Sequence, residues 1–222
     1  MAPPIALVSF DLDGTLVDTA GEIAEAANCA IAEFGLPRQA EAELTLLIGH
    51  GARALVEQLL ARLAPQLDAA LVLSRFEHHY GHTTGALGQP YPGCAETLER
   101  LRAAGLQLAC VTNKSSRLAR QLLQRHGLFD HFALLVGGDS LPQRKPHPSV
   151  LQHAAARLDT PIQQVAHVGD SVVDVMAARQ AGAIAWAVPW GYNGGQPIAS
   201  AEPDRLFDSL PAIADHLTGH RP

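Results

Sequence analysis

Ile5-Ala6-Leu7-Val8-Ser9-Phe10 runs directly into Asp11-Leu12-Asp13-Gly14-Thr15-Leu16-Val17-Asp18-Thr19. A short apolar run of this kind reads as a strand buried on both faces, the pattern of a parallel sheet covered by helices. Two carboxylates spaced i, i+2 at its end point the same way from extended backbone. Gly14 permits a sharp turn immediately after them. In an open parallel sheet, ligands gather beyond the carboxyl ends of the strands, and that is the edge Asp11 and Asp13 occupy.

Outward from this stretch, further apolar runs at Leu106–Thr112, Ala133–Val136, Val165–Val168 and Ile184–Val188 fit buried strands. Amphipathic segments lie between them, near Cys94–Ala104, Ser116–His126, Pro148–Leu158 and Ser171–Ala181. Gly105, Gly127 and Gly182 follow three of these, where a left-handed residue closes a helix. The rhythm implies an α/β core with a Rossmann-like parallel sheet.

One interval breaks it. From Thr19 to Gly88 the periodicity is helical only, at Glu22–Phe34, Glu41–Ile48, Ala52–Leu63 and Leu67–Tyr80. The expected organisation is an α/β core of residues 1–18 and 88–222, carrying an inserted all-helical domain of residues 19–87.

Composition bounds the rest. Hydrophobic residues make up 47% of the 222, enough for a sizeable core, and charged residues only 17%, which excludes general disorder. The formal net charge of −6 argues against a nucleic-acid partner. Cys29, Cys94 and Cys110 are odd in number and form no CxxC pair, so they read as reduced thiols. No apolar run is long enough to span a membrane, and a cytoplasmic monomer or homodimer is expected. Of 16 cationic side chains only Lys114 and Lys145 are lysines.

Three further segments can carry chemistry. Val111-Thr112-Asn113 ends the second strand with a hydroxyl and an amide, either donors to a phosphoryl oxygen or caps of the next helix. Arg144-Lys145-Pro146-His147-Pro148 holds a basic pair in a stiff loop, or is a solvated turn. Gly169-Asp170 ends another strand, with Asp174 one turn on; both acids also suit a helix start. Acids crowded at one edge repel unless a cation sits among them, and Asp11, Asp13 and Asp170 make an oxygen-only environment suited to Mg²⁺.

In order and strand-end placement, Asp11-Leu12-Asp13-Gly14-Thr15, Thr112, Lys145 and Gly169-Asp170…Asp174 resemble the four motifs of the haloacid-dehalogenase-like hydrolase superfamily. The helical insertion resembles its small cap. The resemblance implies a Mg²⁺-dependent phosphatase in which Asp11 attacks phosphorus and Asp13 serves as general acid and base. Thr112 and Lys145 would hold the transferring oxygens. The metal would sit on the Asp11 carboxylate, the Asp13 carbonyl and Asp170, with Asp174 acting through water or orienting the site. Asp13 separates the chain from the superfamily's dehalogenases, which lack that acid. Residues 19–88 contain no lysine, which excludes the phosphonate-cleaving members that need a cap Schiff base.

Within the phosphatases, Ile48-Gly49-His50-Gly51-Ala52 is similar to the IGNGA cap loop of bacterial phosphoglycolate phosphatases, with His50 in place of asparagine. Tyr91-Pro92-Gly93 and Trp190-Gly191-Tyr192-Asn193-Gly194 are similar too. The implied substrate is a small phosphorylated acid, 2-phosphoglycolate, with Asn113, His50 and Arg53 as further substrate-binding candidates. A sugar-phosphate phosphatase, a pyrophosphatase and a β-phosphoglucomutase-like mutase share the same motifs. A non-catalytic binding module would be expected to have lost Asp11, Asp13 or Lys145. His78-His79-x-x-His82 is expected to be a solvated helix end rather than a metal site. Trp186, Trp190 and His167 are read as packing residues.

Overall fold

A computed structural model describes residues 4–219. The chain runs β1 (Leu7–Phe10), β2 (Val17–Asp18), α1 (Ala20–Ala32), α2 (Glu41–Thr45), α3 (Ala52–Leu63), α4 (Ala69–Thr83), β3 (Gln89–Pro90), α5 (Cys94–Ala103) and β4 (Gln107–Val111). It continues through α6 (Ser116–Arg125), β5 (Leu134–Val136), α7 (Ser149–Arg157), β6 (Val165–Gly169), α8 (Val172–Ala181), β7 (Ile184–Ala187), β8 (Arg205–Leu206) and α9 (Leu210–Thr218).

Six strands form one parallel sheet in the order β5-β4-β1-β6-β7-β8, the Rossmann-like arrangement expected. β1 is central. Phe10 stands level with Cys110 of β4 and Val168 of β6, so the residues that follow these three strands emerge side by side. Period-two alternation divides the buried side chains between two cores. Val8, Phe10, Leu108, Cys110, Ala166 and Val168 pack on the face of α5, α6 and α9. Leu7, Ala109, Val111 and Val165 pack on the other face with α7 and α8. Because both faces are covered, the strands are apolar at nearly every position, which is why they read as unbroken runs.

Between Asp18 and Gln89 the chain is helical. Ile23, Ile31, Leu44, Leu55, Leu59, Val72, Phe76 and Tyr80 converge from α1–α4 into a third core, joined from the sheet side by Leu118 of α6. Phe76 is 1% exposed, and losing such a side chain typically costs about 3–5 kcal/mol. Outgoing and returning chains lie side by side as a two-stranded antiparallel ribbon, Val17 opposite Pro90 and Asp18 opposite Gln89. Gly105, Gly127 and Gly182 all adopt positive φ at the ends of their helices.

Several elements differ from their sequence expectation. α2 stops at Thr45 rather than Ile48. α4 starts later and runs to Thr83, because the Asp68 carboxylate accepts from Ala70 N and starts the helix there. α9 carries its start and stop in plain view, with Ser209 Oγ accepting from Ala212 N, a proline in the first turn and Gly219 at the end. β2, β3 and β8 are two residues each, too short for any periodicity to register. No helix among the described residues is long and apolar enough to cross a membrane.

Candidate active site

The loop after β1 supplies the first pair of acids. Asp11 is buried, its amide bonded to the Val168 carbonyl of the neighbouring strand. Gly14 follows at φ +80°, and a Cβ there would stand 2.4 Å from Asp170 Oδ2. Only glycine allows both the left-handed turn and that approach. Thr15 Oγ1 then donates to Asp170 Oδ1 at 2.8 Å, tying the β1 loop to the end of β6. The Tyr192 amide donates to the other Asp170 oxygen. Tyr192 also touches the chain entering α1: its hydroxyl accepts from Thr19 N and Ala20 N and donates to Asp18.

Lys145 lies at the base of the site, 2% exposed. Its Nζ donates to Asp174 Oδ1 at 2.7 Å and lies 3.0 Å from Asp11 Oδ1. Asp174 is fully committed. Its Oδ1 also lies 3.1 Å from His167 Nε2, and its Oδ2 accepts from Ser171 N and Oγ, a reciprocal cap for α8. His167 Nδ1 in turn meets Ser9 Oγ at 2.8 Å. The core histidine is thus satisfied, and it braces the site from below.

The electrostatics of this knot are unbalanced. Burial works to raise Asp174, but Lys145 and His167 hold its carboxyl well below the usual range. Burial works to lower Lys145, but Asp11 and Asp174 keep it firmly protonated. Asp11 is pushed up to about 6 by burial, with Lys145 opposing and Asp174 and Asp13 reinforcing. Asp170 is pushed well above the carboxylate range by burial, then by Asp174 and Asp11. Oxygens of Asp11, Asp170 and Asp174 lie within 4.8 Å of one another. Asp11 Oδ1, though near Lys145, accepts no hydrogen bond of good geometry. Three buried acids against one lysine, with an orphaned carboxylate oxygen among them, form a hard site for a divalent cation. Asp174 and Asp170 both accept protein donors on each of their oxygens, whereas Asp11 Oδ1 is left without one.

Above the sheet edge a cavity of about 240 Å³ separates the strand ends from the helices of residues 20–83. Asp11, Asp13, Thr112, Asn113, Lys114, Arg53, Arg144 and Tyr80 line it. Four of the expected side chains therefore share one chamber with Arg53, while Lys145 and Asp170 stand behind it. Two expected residues are placed differently from the rest. His50 is exposed and is not in the cavity lining, because the loop turns its neighbours Gly49, Gly51 and Ala52 inward instead. Asn113 does not offer a free amide: its Nδ2 donates to the Gly49 and Lys145 carbonyls, both at 3.0 Å, bracing one loop against the other.

Lys114 and Tyr80, neither among the expected site residues, meet here. Lys114 Nζ donates to Asp13 Oδ1 at 2.9 Å and to the Tyr80 hydroxyl. Lys114 was visible as one of two lysines, two residues past Thr112; Tyr80 gave no signal beyond helical periodicity. The histidine trio gains a partner from another helix: Glu33 of the α1 terminus lies 2.6 Å from His79, and Arg75 also pairs it. That acid lies 46 positions away in sequence. Trp186 packs edge-on to Phe207, and Trp190 tilts against Tyr91, as packing residues should.

Acids at adjacent strand ends, a buried lysine across from them and a helical unit over the opening are the marks of one hydrolase fold. The chain belongs to the haloacid dehalogenase-like hydrolases, whose family model matches residues 8–188, and it is a phosphatase of that family. It is similar to the plasmid-borne phosphoglycolate phosphatase of Cupriavidus necator, 44% identical over 98% of this chain and 95% of that protein. The phosphoglycolate phosphatase of Thiobacillus denitrificans is 37% identical over 97% of this chain and 96% of its own. A crystal structure from Haemophilus somnus, described as a predicted phosphoglycolate phosphatase, superposes with a TM-score of 0.91 at 33% identity. It covers 98% of both chains.

Proposed function

We propose that this chain hydrolyses 2-phosphoglycolate to glycolate and inorganic phosphate, with Mg²⁺ as cofactor and a phosphorylated Asp11 as intermediate. The observation that carries the reading is the Asp11 carboxylate, buried beside Lys145 and open to a cavity sized for a small phosphate ester. The names of the relatives described above support the choice of substrate.

Mg²⁺ would be held by the Asp11 carboxylate, the Asp13 backbone carbonyl and Asp170, where it would offset repulsion between the nucleophile and the phosphate dianion. Asp11 attacks phosphorus, and the bond to the glycolate oxygen breaks. Asp13 gives its proton to the departing alkoxide, then takes one from water as that water attacks the aspartyl-phosphate. Free phosphate leaves, and the Asp11 carboxylate is restored. Lys145 and Thr112 hold the equatorial oxygens while charge builds on them. Asp174, which touches Lys145 but no reacting atom, is a positioning residue.

The helices of residues 19–87 act as a cap that excludes water during transfer. Arg53, on the cavity wall, is the proposed partner of the substrate carboxylate. Every residue this mechanism uses comes from one chain, so a monomer or a homodimer serves it equally. The proposed compartment is the cytoplasm, where the three free thiols stay reduced.

A phosphate-release screen with and without Mg²⁺ tests the proposal, over 2-phosphoglycolate, hexose phosphates, nucleotides and pyrophosphate. The highest kcat/KM is expected on 2-phosphoglycolate, and only with the metal. A clear preference for a sugar phosphate or pyrophosphate would sink the substrate assignment, and metal-independent turnover the cofactor.

A further inference from the structure

We propose that Lys114, held in place by Tyr80, is the positioning residue that aims the Asp13 carboxylate at the leaving oxygen. This rests on the general-acid reading of Asp13 given above.

Asp13 uses its two oxygens unequally. Oδ1 accepts from Lys114 Nζ and from Thr19 Oγ1, both at 2.9 Å. Oδ2 accepts from no described residue, yet it is not a buried orphan, and Asp13 lines the cavity. One oxygen anchors the group and the other is left for the substrate's proton. A carboxyl held at one oxygen by two donors has little freedom to swing, which is what proton transfer to a fixed leaving group needs.

Lys114 does not come to Asp13 by chance of a flexible stem. Its side chain is 3% exposed. The Nζ also donates to the Tyr80 hydroxyl and stands 4.0 Å from the centre of that ring. Tyr80 is itself fixed, since its hydroxyl donates to Glu22 Oε1 at 3.3 Å. Burial, then Asp13 and Glu22, raise the Tyr80 phenol well above its usual value, so it stays a donor. Glu22 is wholly buried and takes the Gly85 and Gly88 amides on its second oxygen. The order of donation is therefore consistent along the relay: Lys114 to Asp13 and to Tyr80, and Tyr80 to Glu22. Lys114 belongs to the sheet-edge loop, whereas Tyr80 and Glu22 belong to α4 and α1. The proton-carrying group of the core is thus aimed by a lysine that the helical unit holds.

A role in aiming the acid has a signature that packing lacks. The need for protonation grows as the leaving group becomes more basic, so misplacing Asp13 should hurt poor leaving groups most. The experiment measures kcat/KM, which reports the first transfer to Asp11, with Mg²⁺ present. Substrates run from 2,4-dinitrophenyl phosphate through phenyl phosphate to 2-phosphoglycolate. The proteins are wild type, Lys114→Met, Lys114→Arg, Tyr80→Phe and Asp13→Asn, each first checked for a cooperative thermal transition.

Lys114→Met is expected to lose about 10²-fold on 2-phosphoglycolate and less than about threefold on the dinitrophenyl ester, following the general-acid magnitude. Asp13→Asn should show the same trend more steeply, and Tyr80→Phe more weakly. Lys114→Arg should recover part of the loss. A uniform loss across the series in both Lys114→Met and Tyr80→Phe, or no loss, overturns the role while the hydrolase reading stands. Wild-type protein inert toward every ester overturns the hydrolase reading, and this role with it.

Discussion

Lys145 Nζ lies 2.7 Å from Asp174 Oδ1, and each side chain is 1% exposed. An ion pair so buried contributes little net stability over a well-packed apolar pair, but removing one partner strands the other charge. Asp174→Ala should therefore destabilise the protein by about 3–5 kcal/mol, read as a lower urea midpoint at pH 7.5. It also frees His167 and Ser171, which share that carboxylate. An unchanged midpoint would show that the buried network bears no weight.

The excess of acid over base at the strand ends predicts how the fold responds to metal. Asp170 and Asp11 are both pushed toward the protonated state by burial and by their neighbours, so a divalent cation should bind the folded chain and stabilise it. At 100 times Kd the gain is about 2.7 kcal/mol, or roughly 5–10 °C in Tm for a chain this size. Chelator-stripped protein titrated with Mg²⁺ in a thermal scan gives the measurement. Asp170→Asn should flatten the response, and an identical rise in that variant would move the metal elsewhere.

Asp11→Asn removes the proposed nucleophile while keeping its shape. Loss of kcat on the order of 10⁴-fold or more is expected, together with loss of acid-stable ³²P labelling of the protein. Tm should hold or rise, because one of three crowded acids becomes neutral. Retention of a tenth of wild-type kcat refutes the assignment of Asp11.

How far the site could be read from sequence follows from where each residue sits. Asp11, Asp170 and Thr112 each end a buried apolar run, and in a parallel sheet all such ends share an edge, so pattern alone brings them together. Lys145 is marked by the prolines around it. Lys114 and Tyr80 escaped because their meeting depends on how α4 docks over a loop 34 positions away, which no periodicity encodes. Asn113 was legible as a strand-end amide, but whether its donors were free depended on the Gly49 and Lys145 carbonyls arriving beside it. The fold divides in the same manner. Long apolar or amphipathic runs are readable and two-residue ribbons are not, while α9 is marked only by its caps, Ser209 and Gly219.

Glu33 joins the end of α1 to α4 through Arg75 and His79, which hold its carboxyl down to about 2. A carboxyl depressed in the folded state lends stability above its ordinary value of 4.5, and loses it as pH falls through the folded value. The pair is exposed and screened by water, so Glu33→Gln should lower Tm by only ~2 °C at pH 7. That difference should shrink steadily between pH 4.5 and pH 2. A gap independent of pH would mean the substitution acts through packing rather than charge.

Arg53 and His50 are equal candidates for the substrate's carboxylate in sequence, and they sit differently against the cavity. Arg53 lines the cavity and is held only by an exposed pairing with Glu57 at 3.6 Å, so it can turn inward at little cost. His50 is exposed and outside the lining. A charge-assisted contact of about 1.5–3 kcal/mol corresponds to roughly 10–100-fold in binding. Arg53→Ala should thus raise KM for 2-phosphoglycolate by about 10-fold or more, with kcat little changed. Phosphate esters without a carboxylate should be much less affected. His50→Ala should leave both KM values near wild type. Equal losses on the two substrate classes would place Arg53 in cap packing, and a selective effect of His50→Ala would show that the loop turns over when substrate arrives.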